Sequence, residues 1–225
     1  MTERFARRIP EPTVVRLPLY RRVLVELSSR AVTTVSSAEL AAAAGVNAAK
    51  VRKDLSHLGT YGTPGTGYDV DFLLGQIRRE LGLDSEWRVA IAGMGNLGHA
   101  LARSQGFSGQ GFSVVALLDV DPAKLGEVVA GVQVRHLTEL PEVAAETCPS
   151  IGVIASPPGA AQDVCDRLVA VGIGAVLNFA PAIVTVPPHV LLRQVDFAVE
   201  LQVLGFYLAH REAAEPRADM SRPAL

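Results

Sequence analysis

Arg88-Val89-Ala90-Ile91-Ala92-Gly93-Met94-Gly95-Asn96-Leu97-Gly98 runs an apolar segment directly into three glycines at G-x-G-x-x-G spacing. Residues 89–92 suit a strand buried on both faces of a parallel sheet. Gly93 permits the tight turn, Gly95 lets backbone N–H groups approach a pyrophosphate, and Gly98 lets the following helix, residues 99–103, lie close to the strand. A second apolar run, 113–118, ends in Asp119, 26 positions after Gly93. A carboxylate there accepts hydrogen bonds from the adenosine ribose hydroxyls and repels a 2′-phosphate, which favours NAD(H) over NADP(H). The glycines alone fit any tight strand-to-helix turn. Strand, glycines, helix, strand and terminal acid in this order point to a Rossmann-like α/β domain that binds a dinucleotide.

Around this segment the chain is long enough for two modest cores: 225 residues, 49% hydrophobic, net charge −2. The charge is uneven. Residues 1–68 hold ten Lys/Arg against five Asp/Glu, and the rest hold eleven against eighteen, so a +5 head precedes a −7 body. Nucleic acid is the natural partner of such a head. No apolar stretch approaches the ~20 residues that cross a bilayer, and no signal-peptide core is present, so a cytoplasmic protein is expected. The two cysteines, Cys148 and Cys165, suit neither a zinc site nor a disulfide framework and are expected to be buried.

Within the head, Leu17, Tyr20, Val23, Leu24 and Leu27 recur at helical spacing and predict a first helix over 17–29. Ser36 stands three residues before Glu39 in a capping box that opens a short helix, closed by Gly45. Asn47 can cap a third helix over 48–58, which carries Lys50, Arg52, Lys53, Ser56 and His57 among apolar Val51, Leu55 and Leu58. The short turn between the last two helices is that of a helix-turn-helix, with the third as recognition helix in the major groove. Glycines and a proline over 59–68, with Tyr61, Gly65, Thr66 and Tyr68, suit the hairpin wing of a winged helix. The expected DNA contacts are these side chains together with Asn47. A solvated helical face beside a glycine-rich loop is the plainer reading of the same segment.

Taken together, the segments resemble the Rex family of bacterial redox-sensing repressors, which bind DNA until NADH releases them. The likeness is carried by Arg16-Leu17-Pro18-Leu19-Tyr20, Ala43-Ala44-Gly45-Val46-Asn47, Val51-Arg52-Lys53-Asp54-Leu55-Ser56, the wing, Gly93 to Gly98 and Asp119-Val120-Asp121-Pro122. It continues in Ile154-Ala155-Ser156-Pro157, Leu177-Asn178-Phe179-Ala180-Pro181 and the run from Val195 to Gln202. The family implies a homodimer on palindromic operator DNA, with NADH and NAD⁺ as ligands and no metal. The chain then divides into a winged helix (1–80), a Rossmann-like domain (81–195) and a helix that the resemblance implies is exchanged between subunits (196–212), and the Ala-, Pro- and charge-rich tail (213–225) is expected to be disordered.

Strand ends line the ligand crevice of an open α/β sheet, so Ala155, Ser156, Pro157, Asn178 and Phe179 join Gly93, Met94, Gly95, Asn96, Leu97, Gly98, Asp119, Val120 and Lys124 as expected cofactor contacts. Arg16, Asp196 and Phe197 are the expected switch or inter-subunit residues by resemblance. One departure stands out: where the family usually has an aromatic after the cofactor helix, this chain has Ser104. The rival readings are an NAD-dependent oxidoreductase, for which His136 or His189 would have to supply the proton, and a protein that holds the ADP part of coenzyme A. Each would use the head as an oligomerisation domain.

Overall fold

The structure is a computed structural model that describes residues 9–59, 62–63, 67–104, 106 and 110–211. The chain divides into two compact units, Met1–Glu86 and Trp87–Leu225. Leu81 packs against the core of the first unit, which places the division six residues beyond the expected 80/81 boundary.

The first unit contains α1 (Glu11–Ser29), β1 (Thr34–Val35), α2 (Ser37–Ala44), α3 (Ala48–Leu58), β2 (Gly62–Thr63), β3 (Gly67–Asp69) and α4 (Val70–Glu80). Helix α1 begins six residues earlier than the periodicity predicts. Pro12 in its first turn lacks only an N–H that would have no helical partner there. Pro18 lies in the interior, where it removes one backbone bond. Burial of Leu17, Tyr20 and Leu24 against Leu40, Val51, Leu55, Val70, Leu73 and Ile77 offsets that loss, at about 1.5–3 kcal/mol for each large side chain.

The capping box of α2 forms as read: Glu39 N–H donates to Ser36 Oγ at 3.1 Å and Ser36 N–H to Glu39 Oε2 at 2.8 Å. Gly45 ends α2 in the left-handed conformation, at φ +68°, and the Asn47 side chain accepts from Lys50 N–H at 2.8 Å to start α3. The wing strands pair antiparallel in the order β1-β3-β2. At Gly67 (φ +90°) a Cβ would sit 2.6 Å from the Val35 carbonyl oxygen, so only glycine lets the wing close onto β1.

The second unit is a doubly wound sheet. Its strands are β4 (Trp87–Ala92), β5 (Phe112–Asp119), β6 (Val128–Val129), β7 (Val132–His136), β8 (Ile151–Ile154), β9 (Ala175–Asn178) and β10 (Leu191–Gln194), in the order β10-β9-β8-β4-β5-β7-β6. Every pairing is parallel except that of the short edge strand β6. Between them run α5 (Asn96–Ala102), α6 (Leu140–Thr147) and α7 (Ala161–Ala170), and α8 (Phe197–Arg211) follows β10. Cores form around the central strands, one on Ala90, Leu118, Ile154, Leu168 and Val176, the other on Val89, Ile91, Leu117 and Val153. This alternation along β4 and β5 is that of strands covered on both faces. Cys165 is buried as expected, but Cys148 is exposed, because it ends α6 in a left-handed conformation (φ +44°) at the surface.

Candidate functional site

Strand order reverses at β4, with β5 and β8 on its two sides, so a crevice opens beyond the carboxyl ends of these three strands. A cleft of about 430 Å³ lies there, lined by Gly93, Gly95, Asp119, Val120, Asp121, Lys124, Ala155, Ser156, Pro157 and the apolar Leu137, Ala160 and Val164. Gly93, at φ +100°, brings the turn so close to β8 that a Cβ would meet the Ala155 carbonyl carbon and oxygen at 2.6 Å. A Cβ on Gly98 would strike the Gly93 carbonyl oxygen. Gly95 is different: it has ordinary extended backbone (φ −77°) and no atom within 4 Å of where its Cβ would be. The first and third glycines serve the fold, and the second keeps space open.

Asp119, 8% exposed, closes the far side. Its Oδ1 accepts from Val120 N–H (2.8 Å) and Asp121 N–H (2.9 Å), and its Oδ2 from Met94 N–H (2.6 Å) and Lys124 Nζ (3.1 Å). Burial alone would raise its pKa, but the backbone donors of Asp121 and Met94 and the Lys124 ammonium hold it below the usual carboxylate range. Lys124 is correspondingly pushed up by Asp119. The carboxylate thus ties the glycine loop to β5, and the lysine is the one of its donors that can leave without breaking backbone structure.

Eight of the fourteen expected cofactor residues line this cleft: Gly93, Gly95, Asp119, Val120, Lys124, Ala155, Ser156 and Pro157. The others do not. Met94 is fully buried, contributing its backbone N–H, and Gly98 is a packing residue. Asn96 and Leu97 form the first turn of α5. Asn178 is 0% exposed, donating to Ala182 O (2.9 Å) and Gln194 Oε1 (2.7 Å) and accepting from Ala180 N–H (2.9 Å). Its position at the end of β9 drew it into the expected site, and here its side chain staples the β9–β10 loop. Phe179 packs against the core and meets the Phe197 ring at 6.2 Å between centroids. Asp121, Leu137, Ala160 and Val164 were missed. Asp121 had a signal in its place two residues after Asp119, whereas the apolar three had none.

In the first unit, Lys50, Arg52, Lys53 and Ser56 are exposed on α3, and His57 is half-buried. Arg52 donates to Ser37 Oγ on α2 at 3.1 Å, which steadies a long cation at the helix surface. Tyr68 is half-buried against the core and its hydroxyl pKa is raised by that burial, so it anchors β3. Tyr61, Gly65 and Thr66 lie outside the described residues. Sequence reading also missed Asp54. On the inner face of α3 and 1% exposed, it accepts from Thr13 Oγ1 (2.9 Å), Arg16 Nε (2.6 Å), Arg16 Nη2 (2.7 Å) and Tyr20 Oη (2.6 Å), all on α1. Arg16, an expected switch residue, is held by Asp54 in its own unit, and Asp196, another, has its Oδ1 accepting from Ala198 N–H at 2.8 Å. Ser104 follows α5, exposed, and accepts from Gly106 N–H at 3.2 Å.

Residues 8–56 match the family model described as putative DNA-binding protein N-terminus, and residues 84–182 match that of the CoA binding domain. The redox-sensing transcriptional repressor Rex of Streptomyces avermitilis is 57% identical over 219 residues, 97% of this chain and 87% of the relative. That of Desulfitobacterium hafniense is 44% identical over 92% of this chain and 98% of its own. The chain belongs to the Rex family. It is accordingly a redox-sensing transcriptional repressor rather than an enzyme. Among solved structures, the Rex-family repressor RSP in complex with β-NAD⁺ and operator DNA superposes with a TM-score of 0.85 at 34% identity, covering 91% of this chain and 94% of that one. RSP in complex with β-NADH gives 0.82 at 32% identity, over 92% and 96%.

Rex membership also disposes of the oxidoreductase reading. His136 bonds Thr138 Oγ1 at 2.7 Å to start a 3₁₀ turn, and neither it nor His189 lines the cleft. Among the described residues no helix is long and apolar enough to cross a membrane, and no cluster of His, Cys, Asp and Glu is placed to hold a metal.

Proposed function

We propose that this Rex-family chain is a cytoplasmic homodimer that binds a palindromic operator through α3 and the wing, and that NADH in the β4–β5–β8 cleft releases it. The observation that carries the reading is the tie between Asp119 and the glycine loop at the mouth of the cleft. A dinucleotide whose ribose hydroxyls approach Asp119 must displace Lys124 from Oδ2, and the lysine is then free to meet the ligand's own oxygens. The cleft's walls next to Ala155 and Pro157 are apolar. An uncharged reduced nicotinamide loses less solvation in such surroundings than the cationic oxidised ring, so the site can prefer NADH without any hydride transfer. The same buried carboxylate argues against the 2′-phosphate of NADPH.

Dimerisation through α8 is supported by its surface. Phe197, Val199, Leu201, Leu204, Phe206 and Leu208 are all exposed, on more than one side of the helix. Ile183, 96% exposed, stands beside a second apolar groove formed with Val184, Leu192 and Val199. So much apolar surface needs cover, and a second copy's α8 supplies it. In this reading Asp196 and Phe197 sit at the subunit contact, and the units are 1–86, 87–195, the exchanged helix and a tail.

Binding to a fluorescent palindromic duplex at fixed salt, alone and with NADH or NAD⁺, tests the whole reading. Release by NADH and much less by NAD⁺ is expected, whereas DNA binding indifferent to both would refute it. A nearly complete switch requires the ligand to favour the released conformation by roughly 10⁴-fold. On the DNA side, Lys53→Ala is expected to weaken binding to all duplexes alike and to lower the slope of log affinity against log salt by about one, as loss of one phosphate contact does. A change in sequence preference without a change in slope would move Lys53 from phosphate to base.

A further inference from the structure

His99, on the first full turn of α5, has acceptors at both ring nitrogens. Nδ1 stands 2.9 Å from the Gly95 carbonyl oxygen, and Nε2 stands 3.0 Å from Glu127 Oε2, on the segment between β5 and β6. A carbonyl and a carboxylate can only accept. A neutral imidazole has one N–H, so either tautomer leaves a lone pair facing an acceptor, and the imidazolium alone satisfies both contacts. We propose that His99 is a positioning residue of the dinucleotide site: protonated, it clips the Gly95 carbonyl to Glu127, holds the glycine loop open for the ligand, and makes cofactor affinity depend on pH.

Two further observations support the clip. The Glu127 backbone is fixed at both groups, its N–H donating to Lys124 O at 3.2 Å and its carbonyl accepting from Val134 N–H at 2.8 Å, so the carboxylate is presented from an ordered strand edge. The segment that carries it also carries Lys124, so a clip at Glu127 braces both sides of the ligand. The charged groups facing His99 are Glu127, from the packed segment, and Arg103, from the end of α5, which itself reaches Glu127 Oε1 at 3.8 Å. Of these the Glu127 hydrogen bond dominates and raises the His99 pKa, the Gly95 carbonyl adds to it, and burial and Arg103 oppose it. The imidazolium therefore persists to higher pH than in a free histidine, and the clip is lost as pH rises through the raised value.

The inference rests on the glycine loop being the dinucleotide site. Full-length protein is titrated with NADH, and separately with NAD⁺, between about pH 6.5 and about pH 9, as wild type, His99→Ala and Glu127→Gln. Affinity of the wild type is expected to fall about five- to tenfold across this window for both nucleotides, the loss of one charge-assisted hydrogen bond. The slope should vanish in His99→Ala at the weaker affinity. In Glu127→Gln the amide can donate to a neutral Nε2 while Nδ1–H still donates to Gly95, so affinity should be retained and the profile flat. A wild-type profile that is tight but flat, or a slope that survives in His99→Ala, overturns the clip alone. Absence of saturable NADH binding at every pH overturns the dinucleotide reading beneath it.

Discussion

Replacement of Asp54 by alanine is expected to unfold the DNA-binding unit at ordinary temperature, at a cost of about 3–5 kcal/mol, because it leaves the Arg16 guanidinium half-buried without its carboxylate. Four donors on α1 converge on this carboxylate, and each would lose its acceptor at once. Asp54→Asn keeps one acceptor oxygen and the shape but not the charge, so it should fall between wild type and alanine. The two units offer separate signals. The single tryptophan, Trp87, begins β4, so its fluorescence follows the second unit while far-UV circular dichroism follows both. Early loss of helical signal without movement of the tryptophan transition is the expected pattern, and operator binding should disappear with it while NADH binding remains. Coincident, undisturbed transitions in Asp54→Ala would show that α1 and α3 are held together by their apolar contacts alone.

The same cluster has a pH signature. Burial would raise the Asp54 pKa, but Arg16, Tyr20 and Thr13 together bring it below the usual carboxylate value. A depressed folded pKa contributes stability above the unfolded value, about 3.9, and loses it as pH falls through the folded one. The tie between α1 and α3 should therefore weaken as pH falls through the folded Asp54 value, read as a loss of first-unit helical signal in an acid titration.

Why Asp54 escaped the sequence while Gly93 to Gly98 did not is a matter of where the information lies. The glycine turn, the capping box at Ser36 and the Asn47 cap are local: a few neighbouring residues determine the backbone, and the structure places them where the pattern puts them. Asp54 sits inside a polar run, Arg52-Lys53-Asp54, that reads as one solvated face, yet the helical turn between Lys53 and Asp54 sends the first outward and the second into the core. Its partners are 34 to 41 residues away, and no pairwise spacing reveals them. The bonds of Asn178 were illegible for a related reason. Strand position places it at the crevice, but which way its side chain points is decided by the Ala182 and Gln194 groups that its amide finds. At Asp119 the position was legible and the occupancy was not: the acid expected to await a ribose is already engaged by Met94 N–H and Lys124.

That distinction between fold-serving and ligand-serving positions gives the glycine loop its sharpest test. The motif gives Gly95 and Gly98 different roles, and alanine should affect them in opposite ways. At Gly98 the added methyl collides with the Gly93 carbonyl, so α5 must move off β4 and the second unit loses stability. At Gly95 the backbone already has angles that alanine adopts freely and nothing stands within 4 Å, so Gly95→Ala should leave unfolding within about 0.5 kcal/mol of wild type. The methyl then occupies the space that the glycine kept for the ligand's phosphates and holds them off the backbone N–H groups. NADH affinity should drop about a hundredfold, roughly 2.7 kcal/mol, while operator affinity stays unchanged, because α3 and the wing are untouched. Such a variant is a repressor locked on its operator, deaf to NADH at concentrations that release the wild type. If Gly95→Ala instead binds NADH normally, the open side of that glycine does not face the phosphates, and the ligand enters the cleft from the Asp119 side without crossing the loop.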